Sequence, residues 1–120
     1  MSTKRDLKKI IRNTCGGLAL DMVSAGNLFP QISPKDVEEI VYDCALLQLD
    51  TISRINIVFG RSYADFASTR EYNIARHEYF TKAYRALMIE FNRGVEEIVK
   101  RMNAALPDDV RQILKKAANE

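Results

Sequence analysis

From Ser68 to Ala105 no proline interrupts the chain, and apolar residues recur at steps of three and four: Tyr72, Ala75, Tyr79, Phe80, Ala83, Tyr84, Leu87, Phe91, Val95, Ile98 and Met102. A one-sided stripe of that period is a helix, and at 1.5 Å per residue it would reach roughly 55 Å. Ser68 and Glu71 stand in capping-box spacing at its start, and Pro107 ends it. Gly94 is the residue most able to break it.

So long a stripe needs partners, and the preceding residues supply two shorter helices. Thr3 and Asp6 have capping-box spacing, followed by Leu7, Ile10, Ile11, Cys15, Leu18 and Met22 on one face. Gly26-Asn27 is the expected stop and Phe29-Pro30 a rigid turn. Gly16-Gly17 inside this helix costs about 1 kcal/mol per glycine, which is expected to reflect close approach of a neighbouring helix, or alternatively a kink. The second helix starts with Ser33 as cap, Pro34 in the first turn and Asp36 completing the box. Its stripe runs through Val37, Ile40, Val41, Cys44, Leu47, Thr51, Ile52, Ile55, Val58 and Phe59 to Gly60, which predicts a helix of roughly 40 Å. Residues 60–67 lack periodicity and read as a connection with room for one short turn. After Pro107, Asp108 and Asp109 open a short helix marked by Val110, Ile113, Leu114 and Ala117. β-type alternation is missing, and five glycines and three prolines leave little material for turns. The expectation is an all-α chain, a single domain over residues 1–120, built as an antiparallel bundle of three main helices plus a short C-terminal helix.

Composition excludes several classes. With 47% hydrophobic and 28% charged residues the chain is neither disordered nor fibrous. Two cysteines are too few for a disulfide scaffold, and Cys15, Cys44 and His77 are the only soft ligands, so no four-ligand zinc site and no cofactor is expected. The basic start before an apolar stretch imitates a signal peptide, but Arg12 and Asp21 interrupt it at helical period, which makes a cytoplasmic protein without membrane contact the expectation. Net charge is only +2, yet it is unevenly spread. Residues 1–12 carry five basic groups against one acid, residues 13–53 one against six, and residues 54–93 seven against four. Antiparallel pairing of the first two helices would then set basic turns beside Asp43 and Asp50.

Three features bear on chemistry. Cys15 and Cys44 fall at one height of an antiparallel hairpin, on apolar stripes, and read as buried thiols acting as small hydrophobes. His77 is the only histidine, and it lies seven positions after Arg70. That pair resembles the arginine–six residues–histidine signature of the HEPN helical ribonucleases and toxin-module proteins. The resemblance implies a dimer in which Arg70 stabilises an RNA phosphate and His77 serves as acid or base. Glu71 stands where that family usually has asparagine; the same residues also read as an exposed histidine beside Glu78. Finally Arg54, Arg61, Arg70, Arg76, Arg85 and Arg93 are interleaved with Tyr63, Tyr72, Tyr79 and Tyr84, the ingredients of an RNA- or DNA-binding surface. Glu71, Glu78 and Glu90 stand among them, and the tyrosines follow the buried stripe, so the reading goes against nucleic acid.

The opening Lys4-Arg5-Asp6-Leu7-Lys8-Lys9-Ile10-Ile11 with Cys15 and Leu18, the Asp50–Ile55 stretch, and Phe91–Val99 resemble a bacterial family of short all-helical proteins. That resemblance implies a helical bundle and brings no activity, substrate or cofactor with it. The functional expectation is therefore a small cytoplasmic interaction module without catalytic activity. The third helix outlasts its partners, so part of its stripe, with Tyr72, Tyr79, Phe80 and Tyr84 as the candidate interface, would be left for a second copy or another protein. The metal-independent ribonuclease at Arg70 and His77 is the alternative.

Overall fold

The computed structural model describes residues 3–119, and among them it is all-helical, with no strand. Four α-helices, α1 (Lys4–Leu28), α2 (Pro34–Ser53), α3 (Thr69–Ala105) and α4 (Asp108–Ala118), are joined by short loops, except that α2 and α3 are separated by residues 54–68 with one 3-10 turn at Tyr63–Asp65. The starts are local chemistry. Thr3 accepts from the Asp6 amide while the Asp6 carboxylate accepts from the Thr3 amide, the reciprocal box expected. Ser68 accepts from the Glu71 amide, and α3 runs unbroken through Gly94 for 37 residues. Ser33 precedes Pro34 as expected but makes no side-chain capping bond, so α2 starts on proline geometry and the Asp36 charge.

α2 is shorter than its stripe. It ends at Ser53 after 20 residues instead of reaching Gly60. The Ser53 hydroxyl bonds back to the Asp50 carbonyl at 2.7 Å, and the Arg54 and Ile55 amides reach the carbonyls of Thr51 and Ile52, three residues back. The last turn thus tightens to 3-10 geometry, and the branched Ile55, Ile57 and Val58 that follow gain little from continuing a helix. α1, by contrast, runs past Gly26-Asn27 to Leu28.

The core has two parts. One gathers Met22, Ile32, Ile40, Cys44, Ile98 and Val110; the other gathers Ile11, Cys15, Ile55, Leu87 and Phe91. Leu47 packs against both. The glycines expected to admit a neighbour do not: Gly16 and Gly17 are exposed, with open space where a Cβ would stand. Close approach occurs at Gly26, where a Cβ would lie 2.8 Å from Val37 Cγ2, and at Gly94, where it would lie 2.7 Å from Leu47 Cδ1. Of the α4 stripe only Val110 is buried, while Ile113 and Leu114 are 50% and 41% exposed. The Arg111 guanidinium joins α4 to the end of α3 by donating twice to the Asn103 carbonyl.

These contacts predict opposite signs for glycine substitutions. Gly16→Ala and Gly17→Ala should each stabilise by up to about 1 kcal/mol, since nothing meets the new methyl. Gly26→Ala should destabilise by about 1 kcal/mol, because the stiff Val37 must shift, and Gly94→Val by about 1–3 kcal/mol. Urea unfolding of the four variants checks the signs.

Candidate functional site: an aromatic arm with basic grooves

The buried residues of α3 begin at Leu87, so its first four turns lie beyond both core clusters. They do not stand alone. Residues 56–66 run back along them as a strap, and the Phe59 ring sits 5.2–6.4 Å from the rings of Phe66, Tyr72, Tyr79 and Phe80. Tyr63 and Phe66 meet Tyr72 edge-on, and Phe80 stacks on Tyr84. The Tyr84 hydroxyl donates to the Ile55 carbonyl at 3.0 Å, pinning the root of the strap. Each favourably oriented ring pair adds about 0.5–1.5 kcal/mol beyond its buried area, which is what holds irregular backbone on the helix.

The arm therefore covers part of the stripe that sequence periodicity left for a partner. Tyr72, Phe80 and Tyr84 are half-buried within their own chain, and Tyr79 keeps 41% of its surface exposed. Phe59 and Phe66 were the missed members. Phe59 looked like the end of the α2 stripe, and the signal that it belongs elsewhere is the branched run of Ile55, Ile57 and Val58 before it.

Two guanidinium groups lie over rings, Arg61 at 4.5 Å from the Phe66 centroid and Arg76 at 4.9 Å from that of Phe80. Two open grooves flank α3 here. The first, about 540 Å³, runs between strap and helix and is lined by Phe59, Arg61, His77, Glu78, Tyr79, Thr81, Lys82 and Arg85, with Ala75 at its floor. The second, about 440 Å³, lies towards α1 and is lined by Lys4, Asn73, Arg76, His77, Phe80 and Tyr84. His77 forms the crest between them. Arg70 lines neither groove; it sits two turns earlier on the helix, and among the described residues no hydrogen bond or ion pair holds Arg70 or His77 in a fixed pose.

The ion pairs lie elsewhere. Asp43 pairs with Arg101 of α3, and Asp50 with Arg54, which also meets Glu90. The expected pairing of the α1 start with Asp43 and Asp50 is not made among the described residues. Nor do the described residues hold a cluster of three or more histidine, cysteine or carboxylate groups able to bind a metal. Cys15 and Cys44 are free, buried thiols near enough to influence one another. Burial, reinforced by Cys44, pushes the Cys15 thiol up to about 11, and burial beside Asp43 raises Cys44. Neither is an activated nucleophile. No family model, curated protein or solved structure matches the chain.

Two outcomes follow. A thiol whose value is raised by folding contributes stability below the unfolded value of 9.0 and loses it as pH rises towards about 11. The free energy of unfolding from urea titrations should fall over that window, by of order 2 kcal/mol for Cys15, and Cys15→Ala should remove that part of the pH slope. Phe59→Ala should speed trypsin cleavage at Arg61 several-fold while leaving far-UV helicity nearly intact, because the ring anchors the strap and not the core.

Proposed function

We propose that this chain is a small, non-catalytic interaction module that works as a homodimer in a reducing, cytoplasmic compartment. The observation that carries the reading is surface. The chain exposes 8570 Å², whereas a compact monomer of 13.7 kDa exposes roughly 6600 Å². The excess of roughly 2000 Å² per chain, about 4000 Å² for two chains, is more than a standard interface removes from water and lies within the range of about 2000–5000 Å² that obligate homodimers bury. Shape agrees: the radius of gyration is 19.9 Å against about 13–14 Å for a compact chain of this length, and the extents are 65 × 29 × 19 Å.

The three long helices are read as an antiparallel bundle. Supporting this, Asp43 and Leu47 of α2, and Arg54 at its end, meet Arg101, Gly94 and Glu90 of α3 in reverse order. In that arrangement α2 carries apolar residues on both sides. Ile40, Cys44 and Thr51 face the core, while Tyr42, Ala45, Leu46 and Leu49 occupy the opposite side, with Tyr42 63%, Leu46 45% and Leu49 66% exposed. Exposed large apolar side chains gathered in one patch mark an association surface. The outer stripe has spacing 3-1-3, which is the same read in either direction, so two copies of α2 crossing antiparallel about Ala45-Leu46 present it to itself. That is the self-complementarity of a two-fold contact. The pair of free buried thiols fits a compartment where cysteines stay reduced. No helix among the described residues is long and apolar enough to cross a membrane.

Light scattering at micromolar concentration should give twice the 13.7 kDa chain mass. Tyr42→Glu combined with Leu49→Glu should give the chain mass with helicity preserved, since both side chains point away from the core. A wild-type mass equal to one chain would overturn the reading.

A further inference from the structure

Most of the positive charge of the molecule is gathered at one end. Lys4, Arg5, Lys8, Lys9 and Arg12 occupy the first turns of α1, and Lys4 lines a groove together with Arg76 and His77 of the arm. The arm itself carries Arg61, Arg70, Arg76, Lys82 and Arg85. None of these ten cations forms an ion pair among the described residues; the pairs that exist involve Arg54, Lys100, Arg101 and Arg111. Against the ten stand Asp6, Asp65, Glu71 and Glu78. Asp6 and Asp65 already accept from backbone amides at helix starts, and Glu71 sits in the first turn of α3. Glu90, which breaks the arginine series in sequence, is bound to Arg54 in the body of the protein. The mixture of signs along the chain is thus a separation of signs in space.

The geometry points to a binding site for single-stranded nucleic acid on the arm, running from the groove of Arg61, Lys82 and Arg85 over His77 into the groove of Lys4 and Arg76. Arg61 and Arg76 are held over the rings of Phe66 and Phe80, and among the described residues no carboxylate pairs with either, which leaves N–H donors for phosphate oxygens. The second groove has no carboxylate in its walls, and the first has one, Glu78. Beside the cations of the first groove lies the ring of Tyr79, 41% exposed, at a position where a splayed base can stack. Stacked bases of a duplex would offer that ring no face, so the single strand is the form that uses both the charge and the ring. Binding reads backbone and base faces, which makes it tolerant of sequence and sensitive to salt.

The test is fluorescence anisotropy of the full chain with labelled oligo-dT and oligo-U of about 12 nucleotides at two or more salt concentrations. Engagement of about four phosphates gives a slope of log affinity on log salt near −3. Lys82→Glu with Arg85→Glu should weaken binding at least about tenfold and flatten the slope by about 1.4. Tyr79→Ala should weaken it about tenfold without changing the slope, a response that a purely electrostatic surface would not give. Lys115→Glu with Lys116→Glu, at the far end, should leave affinity unchanged. Circular dichroism confirms that each variant is folded. Absence of salt-dependent binding by the wild type overturns the proposal. So does equal loss from the far-end variant, or binding to phosphatidylserine vesicles with none to either oligonucleotide.

Discussion

Leu47 lies against the bare backbone of Gly94, and the register of the molecule depends on that contact. It lets α2 and α3 approach closely, since a methyl at Gly94 would stand 2.7 Å from the leucine tip. It also joins the two core clusters, because Leu47 packs against both. Arg101–Asp43 and Arg54–Glu90 flank it on either side and hold the same alignment from the surface. Exposed pairs of this kind contribute only about 0.2–1 kcal/mol each, so the apolar seat of Leu47 is the stronger determinant.

Once that register is set, the rest of the chain has few choices. A helix of 20 residues paired with one of 37 must leave turns of the longer one uncovered, and here the surplus falls at the start of α3. The chain leaving Ser53 has to travel to Ser68 along those turns. It does so as a strap held by rings and not by a helical ladder, with Phe59 touching four other aromatic side chains. The same offset separates charge. Asp43 of α2 meets Arg101 of α3 in the shared body and Asp50 meets the neighbouring Arg54, whereas the cations of the arm lie past the end of α2 and, among the described residues, pair with no carboxylate. Architecture and electrostatics come from one mismatch of length.

Local chemistry was the legible part of the sequence. Thr3 with Asp6, Ser68 before Glu71, Pro34 and Pro107 each act through neighbours within a few residues, and each marks its helix boundary in the structure. The continuity of α3 through Gly94 was left open by the pattern and is settled by the structure, where one glycine costs about 1 kcal/mol against many helical bonds. Features that depend on what lies opposite were not legible. Ile55, Val58 and Phe59 continue the α2 period, and period alone cannot register that Ile55 is fully buried in the second cluster, with its carbonyl held by Tyr84. Gly16-Gly17 looked like a packing notch and Gly26 like a stop; the structure reverses them, since only Gly26 has a side chain, Val37, standing over it. As for the site, Tyr72, Tyr79, Phe80 and Tyr84 were visible as a ring-bearing stripe. Their shared neighbour Phe59 and the grooves it creates required the strap.

The thinness of this fold connects its parts. Three helices that share two small clusters leave α2 with only one side covered by its own chain, and the remaining side is as apolar as many core faces through Tyr42, Ala45, Leu46 and Leu49. Covering it with a second copy would enlarge the buried core without changing any helix. The arm is independent of that surface, because its rings and cations lie past Ser53, where α2 has already ended. A dimer formed through α2 therefore keeps two basic arms free, one at each end of an antiparallel pair. Two weak sites on one particle bind a long polyanion far more tightly than either alone, provided the strand can span them. With the proposed dimer and the proposed site taken together, the association surface would set how many arms the particle presents, and the basic grooves would set what they hold.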